Sequence, residues 1–220
     1  MRVHKALGLA AIVAVFAMIL AAPSWASLYN QPTDYNGAYS SQNDTNGLGN
    51  FATVYDNFTL GSSATINNVQ WIGSYFNPPT QGPITAWTLT FYADNAGSPG
   101  AALATFNVNN NANETFLQFD NFGDPTYSYS MNVNFAALAG TQYWLSVVPD
   151  LGFPPQWGWE TGTGGDGSAW QCFFGACGPI PNDMAFTLNG SSNSGVPEPA
   201  SLFLLGTGLL GLGRVIRRKK

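Results

Sequence analysis

The side chains between residues 27 and 195 that could do acid–base or metal chemistry are almost all carboxylates. They are Asp34, Asp44, Asp56, Asp94, Glu114, Asp120, Asp124, Asp150, Glu160, Asp166 and Asp183. The seven Lys and Arg residues and the single His4 lie outside that stretch. It therefore has a formal charge of −11, against −5 for the whole chain. Chemistry that needs a cation or an imidazole is excluded there. No histidine triad, Ser–Lys pair or histidine-bearing zinc site can be built. A phosphate backbone would meet no positive charge, which excludes nucleic acid as a partner. Carboxylate chemistry remains open, because glycoside cleavage needs only two carboxyl groups. Glu114, Glu160 and the aspartates could supply them, but no spacing marks a pair.

Three local groups stand out. Pro154-Pro155-Gln156-Trp157-Gly158-Trp159-Glu160 sets two indoles beside a carboxylate, with Trp170, Phe173 and Phe174 close in sequence. Trp157, Trp159 and Glu160 are candidate glycan contacts, since aromatic faces stack on sugars and carboxylates bond their hydroxyls. The alternative is that the two tryptophans alternate inward as core. Asp94 and Asn95, before Gly97, are candidate calcium ligands on an oxygen-rich turn, or a plain Asx turn. Asp120, Asp124 and Asp150 are similar loop candidates. Cys172 and Cys177 are the only cysteines. In an exported chain such a pair reads as a disulfide. No other cofactor is expected.

The elements that position these groups are strands. Alternation of period two runs through Val69, Trp71, Gly73 and Tyr75, and through Trp87, Leu89 and Phe91. It is clearest at Tyr127, Tyr129, Met131, Val133 and Phe135, which alternate with Ser128, Ser130, Asn132 and Asn134. Tyr143, Leu145 and Val147 follow, then Met184, Phe186 and Leu188. No helical period is sustained between 51 and 189. The expected fold is all-β: an antiparallel β-sandwich, jelly-roll-like, over residues 51–189. Residues 27–50, rich in Asn, Gln, Ser and Gly, are expected to form a flexible N-terminal arm. Gly162 to Gly167 is expected to be a mobile loop. Residues 190–195 read as a flexible linker.

Both chain ends carry topogenic patterns. Arg2 and Lys5, the apolar run Ala6 to Ala22 and Ser24-Trp25-Ala26 read as a signal peptide, residues 1–26, cut after Ala26 by signal peptidase. At the other end Val196, Pro197, Glu198 and Pro199 precede the uncharged segment to Gly213. Arg214, Arg217, Arg218, Lys219 and Lys220 then form a basic membrane stop. The apolar segment is expected to be a transmembrane helix with its basic end cytoplasmic. Its glycines are common in membrane helices. Pro197 and Pro199 restrict the backbone to extended shapes, which would leave Glu198 on a stiff, accessible segment.

Residues 196–220 resemble the PEP-CTERM sorting domain of Gram-negative bacteria, matching it in the Pro197-Glu198-Pro199 signal, the glycine-containing apolar segment and the basic end. The resemblance implies recognition by exosortase, a membrane-embedded protease. It also implies loss of the tail, transfer to the cell surface or extracellular matrix, and a link to exopolysaccharide and biofilm. Trp87 to Gly100, Gly140 to Val147 and Asp183 to Leu188 resemble β-sandwich ectodomains found upstream of such tails. That second likeness transfers no catalytic residue. The expectation is a non-enzymatic surface or matrix protein delivered through an inner-membrane precursor, with extracellular polysaccharide as a partner. A carbohydrate-binding module and a carboxylate-dependent glycan-active enzyme are the alternatives.

Overall fold

The computed structural model describes residues 26–192. The expected signal peptide up to residue 25, the end of the linker and the whole sorting signal with its transmembrane helix lie outside the described residues. Among the described residues there are strands and no helix. In chain order they are β1 (Ala26–Gln31), β2 (Thr33–Ser40), β3 (Gln42–Asp44), β4 (Gly49–Thr59), β5 (Ala64–Phe76), β6 (Ala86–Asp94), β7 (Pro99–Val108) and β8 (Thr115–Phe119). There follow β9 (Pro125–Ala137), β10 (Gln142–Leu151), β11 (Gln156–Gly162), β12 (Ala169–Phe173), β13 (Ala176–Ile180), β14 (Asp183–Met184) and β15 (Phe186–Ser192).

The strands form two sheets. The first runs β1-β15-β5-β11-β14, with β2 also on β11, β9 on β5 and β8 on β9. The second runs β13-β12-β4-β3-β10-β6-β7, with β4 also on β10. The pairings are antiparallel except for a short parallel contact of β3 with β10. The inner faces meet in one aromatic core. Phe91 of the second sheet stacks on Phe135 of the first, with ring centres 4.2 Å apart and planes 3° from parallel. Trp87 meets both Trp71 and Trp157 across the same gap, each at 4.9 Å. With no intradomain cation available for an ion pair, apolar burial of this kind carries the stability.

The expected alternation is present on β9, where Tyr127, Tyr129, Met131, Val133 and Phe135 are buried while Asn132 and Asn134 are exposed. On β5 a bulge between Ile66 and Asn68 shifts the inward set from Ala64 and Ile66 to Val69, Trp71, Gly73 and Tyr75. Gly73 is glycine for a steric reason. A Cβ there would stand 2.0 Å from the Trp157 ring.

Residues 27–50 are not the flexible arm that their composition suggested. They form β1 at one edge of the first sheet, β2 against β11, and β3 between β4 and β10 in the second sheet. Five of their polar side chains, Gln31, Ser40, Ser41, Gln42 and Asp44, are buried, and they make hydrogen bonds inside. Gln42 Nε2 donates to the Leu151 carbonyl at 2.9 Å, while Gln42 Oε1 accepts from Trp157 N at 2.8 Å. Ser41 Oγ donates to the Val147 carbonyl at 2.7 Å. Amides normally found in water are affordable inside when each is satisfied in this way. The expected linker also begins later, since Gly190, Ser191 and Ser192 still pair with β5. The Gly162–Gly167 loop is tied down by Asp183, whose carboxylate accepts from Gly165 N at 2.9 Å and Gly167 N at 2.7 Å.

Candidate functional site

Trp157, Trp159 and Glu160 sit on β11, in the middle of the first sheet, and all three are 0% exposed. They cannot meet a glycan, so this expectation is corrected in favour of the inward alternation. Trp157 Nε1 donates to the Tyr129 hydroxyl at 3.1 Å and Trp159 Nε1 to the Ala185 carbonyl at 2.9 Å. The two indoles belong to the core. Glu160 is one residue out of phase with them and faces the outer side of the sheet. Burial pushes its carboxyl up to about 7, the Ser74 hydroxyl pulls it down, and Asp120, Asp34 and Asp124 push it further up.

Asp94 and Asn95 form an Asx turn. Asp94 Oδ1 accepts from Gly97 N at 3.2 Å and Asn95 N donates to the Ser98 carbonyl at 2.9 Å. The same Asp94 Oδ1 accepts from Trp144 Nε1 at 2.9 Å and Gln142 Nε2 at 3.3 Å. These donors account for the carboxylate as a clamp that seats the Trp144 indole on the outer side of β10. Among the described residues, no three Asp, Glu, His or Cys side chains are grouped as a metal set.

Other acids also serve the backbone. Burial opposes charge on Asp44, but the N–H groups of Phe153, Leu48 and Asn46 outweigh it and hold its pKa below the ordinary value. Asp56 is buried, and desolvation pushes its pKa well up despite N–H donors from Met184 and Asn57. Glu114 accepts from three side chains: the Tyr75 hydroxyl, the Tyr129 hydroxyl at 2.8 Å and Gln81 Nε2 at 2.6 Å. Asp44, Asp56 and Glu114 thus each have hydrogen-bond partners within the fold.

One surface suited to a ligand was not singled out by the sequence. It is the outer face of the second sheet, where β3, β4, β6 and β10 line a cavity of about 300 Å³. Tyr55 and Tyr92 meet edge to face at 5.3 Å between ring centres. Around them lie hydroxyls and amides, including Thr53, Thr88, Ser146 and Asn50. The Tyr92 hydroxyl and Ser146 Oγ are 3.3 Å apart. Asp150 is the single carboxylate, and it accepts from Asn43 Nδ2 at 2.8 Å. The signal was present in the outward partners of the inward set on β6: Thr88, Thr90 and Tyr92 alternate with Trp87, Leu89 and Phe91.

Cys172 and Cys177 are disulfide-bonded as expected, facing each other across the β12–β13 hairpin with Cα atoms 4.0 Å apart. Residues 195–219 match the PEP-CTERM protein-sorting motif. The chain carries a PEP-CTERM sorting motif. Such a motif marks an exported protein that passes through a membrane-anchored precursor and is handled by an exosortase, itself a membrane protein. The PEP-CTERM match spans Val196 to Pro199 and the basic residues Arg214, Arg217, Arg218 and Lys219; the final Lys220 lies one residue past it. No curated protein matches the sequence.

Proposed function

We propose that the chain is a non-enzymatic cell-surface or matrix protein, delivered through its PEP-CTERM motif, whose sandwich holds extracellular polysaccharide on the outer face of the second sheet. The observation that carries the reading is the Tyr55–Tyr92 pair set among hydroxyls and amides on an open sheet face. Sugars present apolar C–H faces and many hydroxyls. Aromatic rings pack on the first, and side chains that both donate and accept hydrogen bonds match the second. The domain's charge of −11 would repel an acidic polymer, so a neutral polysaccharide is the favoured ligand. Hydrolysis is disfavoured by the groove itself, because Asp150 is its single carboxylate and the usual mechanisms need two.

The test is affinity electrophoresis of the processed protein through gels containing polysaccharide from the producing cells, with a reducing-end assay on the same polymer. Wild type should be retarded. Tyr55→Ala and Tyr92→Ala, checked for folding by circular dichroism, should each weaken retardation by on the order of ten-fold, as loss of an aromatic anchor does elsewhere. Unretarded wild type would refute polysaccharide binding. New reducing ends would instead reinstate the enzymatic reading.

A further inference from the structure

Four buried oxygens that make no well-formed hydrogen bond are found on Glu160, Ser74 and Asp120, although the Ser74 hydroxyl lies near enough to Glu160 to lower its pKa. They are both carboxylate oxygens of Glu160, Ser74 Oγ and Asp120 Oδ2. The three side chains come from different parts of the chain. Glu160 is on β11 and Ser74 on β5, and their strands pair so that Ser74 stands opposite Gly158 on the same outer face. Asp120 opens the loop between β8 and β9. That loop folds over β2: Asn121 N donates to the Tyr35 carbonyl at 2.9 Å and Asn121 Nδ2 to Asn36 Oδ1 at 2.7 Å. Phe122 then packs against Gly37, and Asp124 lines a cavity with Thr161, the residue after Glu160.

The other oxygen of Asp120 is already used, accepting from Phe122 N and Asp124 N at 2.8 Å each. The loop is thus shaped around one carboxylate oxygen while the second is left buried and unsatisfied. Orphaned buried oxygens are costly, and the more so here because the Asp120 carboxylate is near enough to Glu160 to raise its pKa, with no counter-charge between them. No Lys, Arg or His exists between residues 27 and 195 to supply that charge. The donor set is hard oxygen only: two carboxylates and a hydroxyl. That chemistry suits calcium, which draws its remaining ligands from carbonyls and water, and does not suit zinc.

We propose that Glu160, Asp120 and Ser74 form a calcium site that locks the β8–β9 loop onto the first sheet. It is separate from the Asp94 turn and independent of the polysaccharide face.

The test uses the processed protein, treated with EDTA and then dialysed, at pH 7.5. Titration with CaCl2 by calorimetry should show one site per chain. Calcium should raise the Tm beyond NaCl at matched ionic strength, because a ligand that binds only the folded state stabilises it. Glu160→Gln removes the buried charge without changing shape, and it should abolish both signals. Asp120→Asn should weaken calcium binding by on the order of ten-fold or more, as disturbance of metal-site residues commonly does. Asp94→Asn should leave the calcium affinity unchanged. If calcium and sodium act alike on wild type and no binding heat appears, the proposal is overturned. Unchanged calcium binding in the Glu160 and Asp120 variants overturns it as well. Should Glu160→Gln fail to fold, Asp120→Asn and Ser74→Ala decide the matter by the same titration.

Discussion

Keeping Glu160 inside the protein costs little at pH 4 and a good deal at pH 7. Its carboxyl is pushed from an ordinary 4.5 up to about 7 by burial, then by Asp120, Asp34 and Asp124. Between those values the folded chain binds a proton that the unfolded chain has released. Stability from this group must therefore fall as pH rises through that window, by roughly 3 kcal/mol in all. Asp56, also raised by burial, works in the same direction. Asp34 and Asp44 oppose it, since their hydrogen-bonded, lowered pKa values add stability above about pH 4 that is lost in stronger acid. In EDTA the Tm should peak on the acid side of neutrality and decline from about pH 5 to 7. Glu160→Gln should flatten the decline. A wild-type Tm that climbs steadily from pH 5 to 7 would contradict the placement of this side chain. None of this was legible in the sequence. Trp157-Gly158-Trp159-Glu160 shows aromatics beside an acid, but whether the indoles face sugar or core depends on which side of β11 the second sheet covers.

At the scale of elements, the β12–β13 hairpin shows what its cross-link can and cannot do. Cys172 and Cys177 are in direct register, and β12 is also paired with β4 from Ala169 to Phe173. The hairpin is thus held by a neighbouring strand as well as by sulfur. Closing so short a loop restricts the unfolded chain only modestly, by roughly 2 kcal/mol. The Cys172→Ser/Cys177→Ser double variant should fold with a Tm lower by a few degrees, and the denatured, unreduced wild type should titrate no thiol. Two free thiols, or a double variant that does not fold at all, would contradict this account. Strands were legible where one face is apolar and the other wet, as on β9. They were illegible in β1 to β3, where Gln31, Ser41 and Gln42 are buried as hydrogen-bonding groups. Amide-rich sequence reads as loop because its satisfying partners, such as Leu151 O and Trp157 N, lie more than a hundred residues away. The Tyr55–Tyr92 face was missed for a related reason. Its residues come from four strands, and sheet order brings together Tyr55 of β4 and Tyr92 of β6, which pair with opposite edges of β10.

At the scale of the whole molecule, the C-terminal motif speaks about destination and the sandwich about what is delivered. The motif at residues 195–219 was the most legible part of the chain, because a short signal, an apolar segment and a basic cluster keep their meaning without any fold. The sandwich gives the motif a testable boundary. Its last strand pairs through Ser192 with Ala64, so only a few residues separate the end of β15 from Pro197. An enzyme acting at the signal must work close to a folded domain of charge −11 without unpicking β15. Replacing Pro197, Glu198 and Pro199 together with alanine should leave export, the disulfide and the sandwich intact. The protein should then accumulate in the inner membrane at its larger size, as seen by fractionation and immunoblotting. Neutralising Arg217, Arg218, Lys219 and Lys220 should act differently, weakening membrane retention before processing, because by the positive-inside bias such a cluster would hold that end on the cytoplasmic side. The two variants separate recognition from retention. If the alanine variant is processed and placed like wild type, the three residues serve only as a spacer and delivery depends on the apolar segment and its basic end.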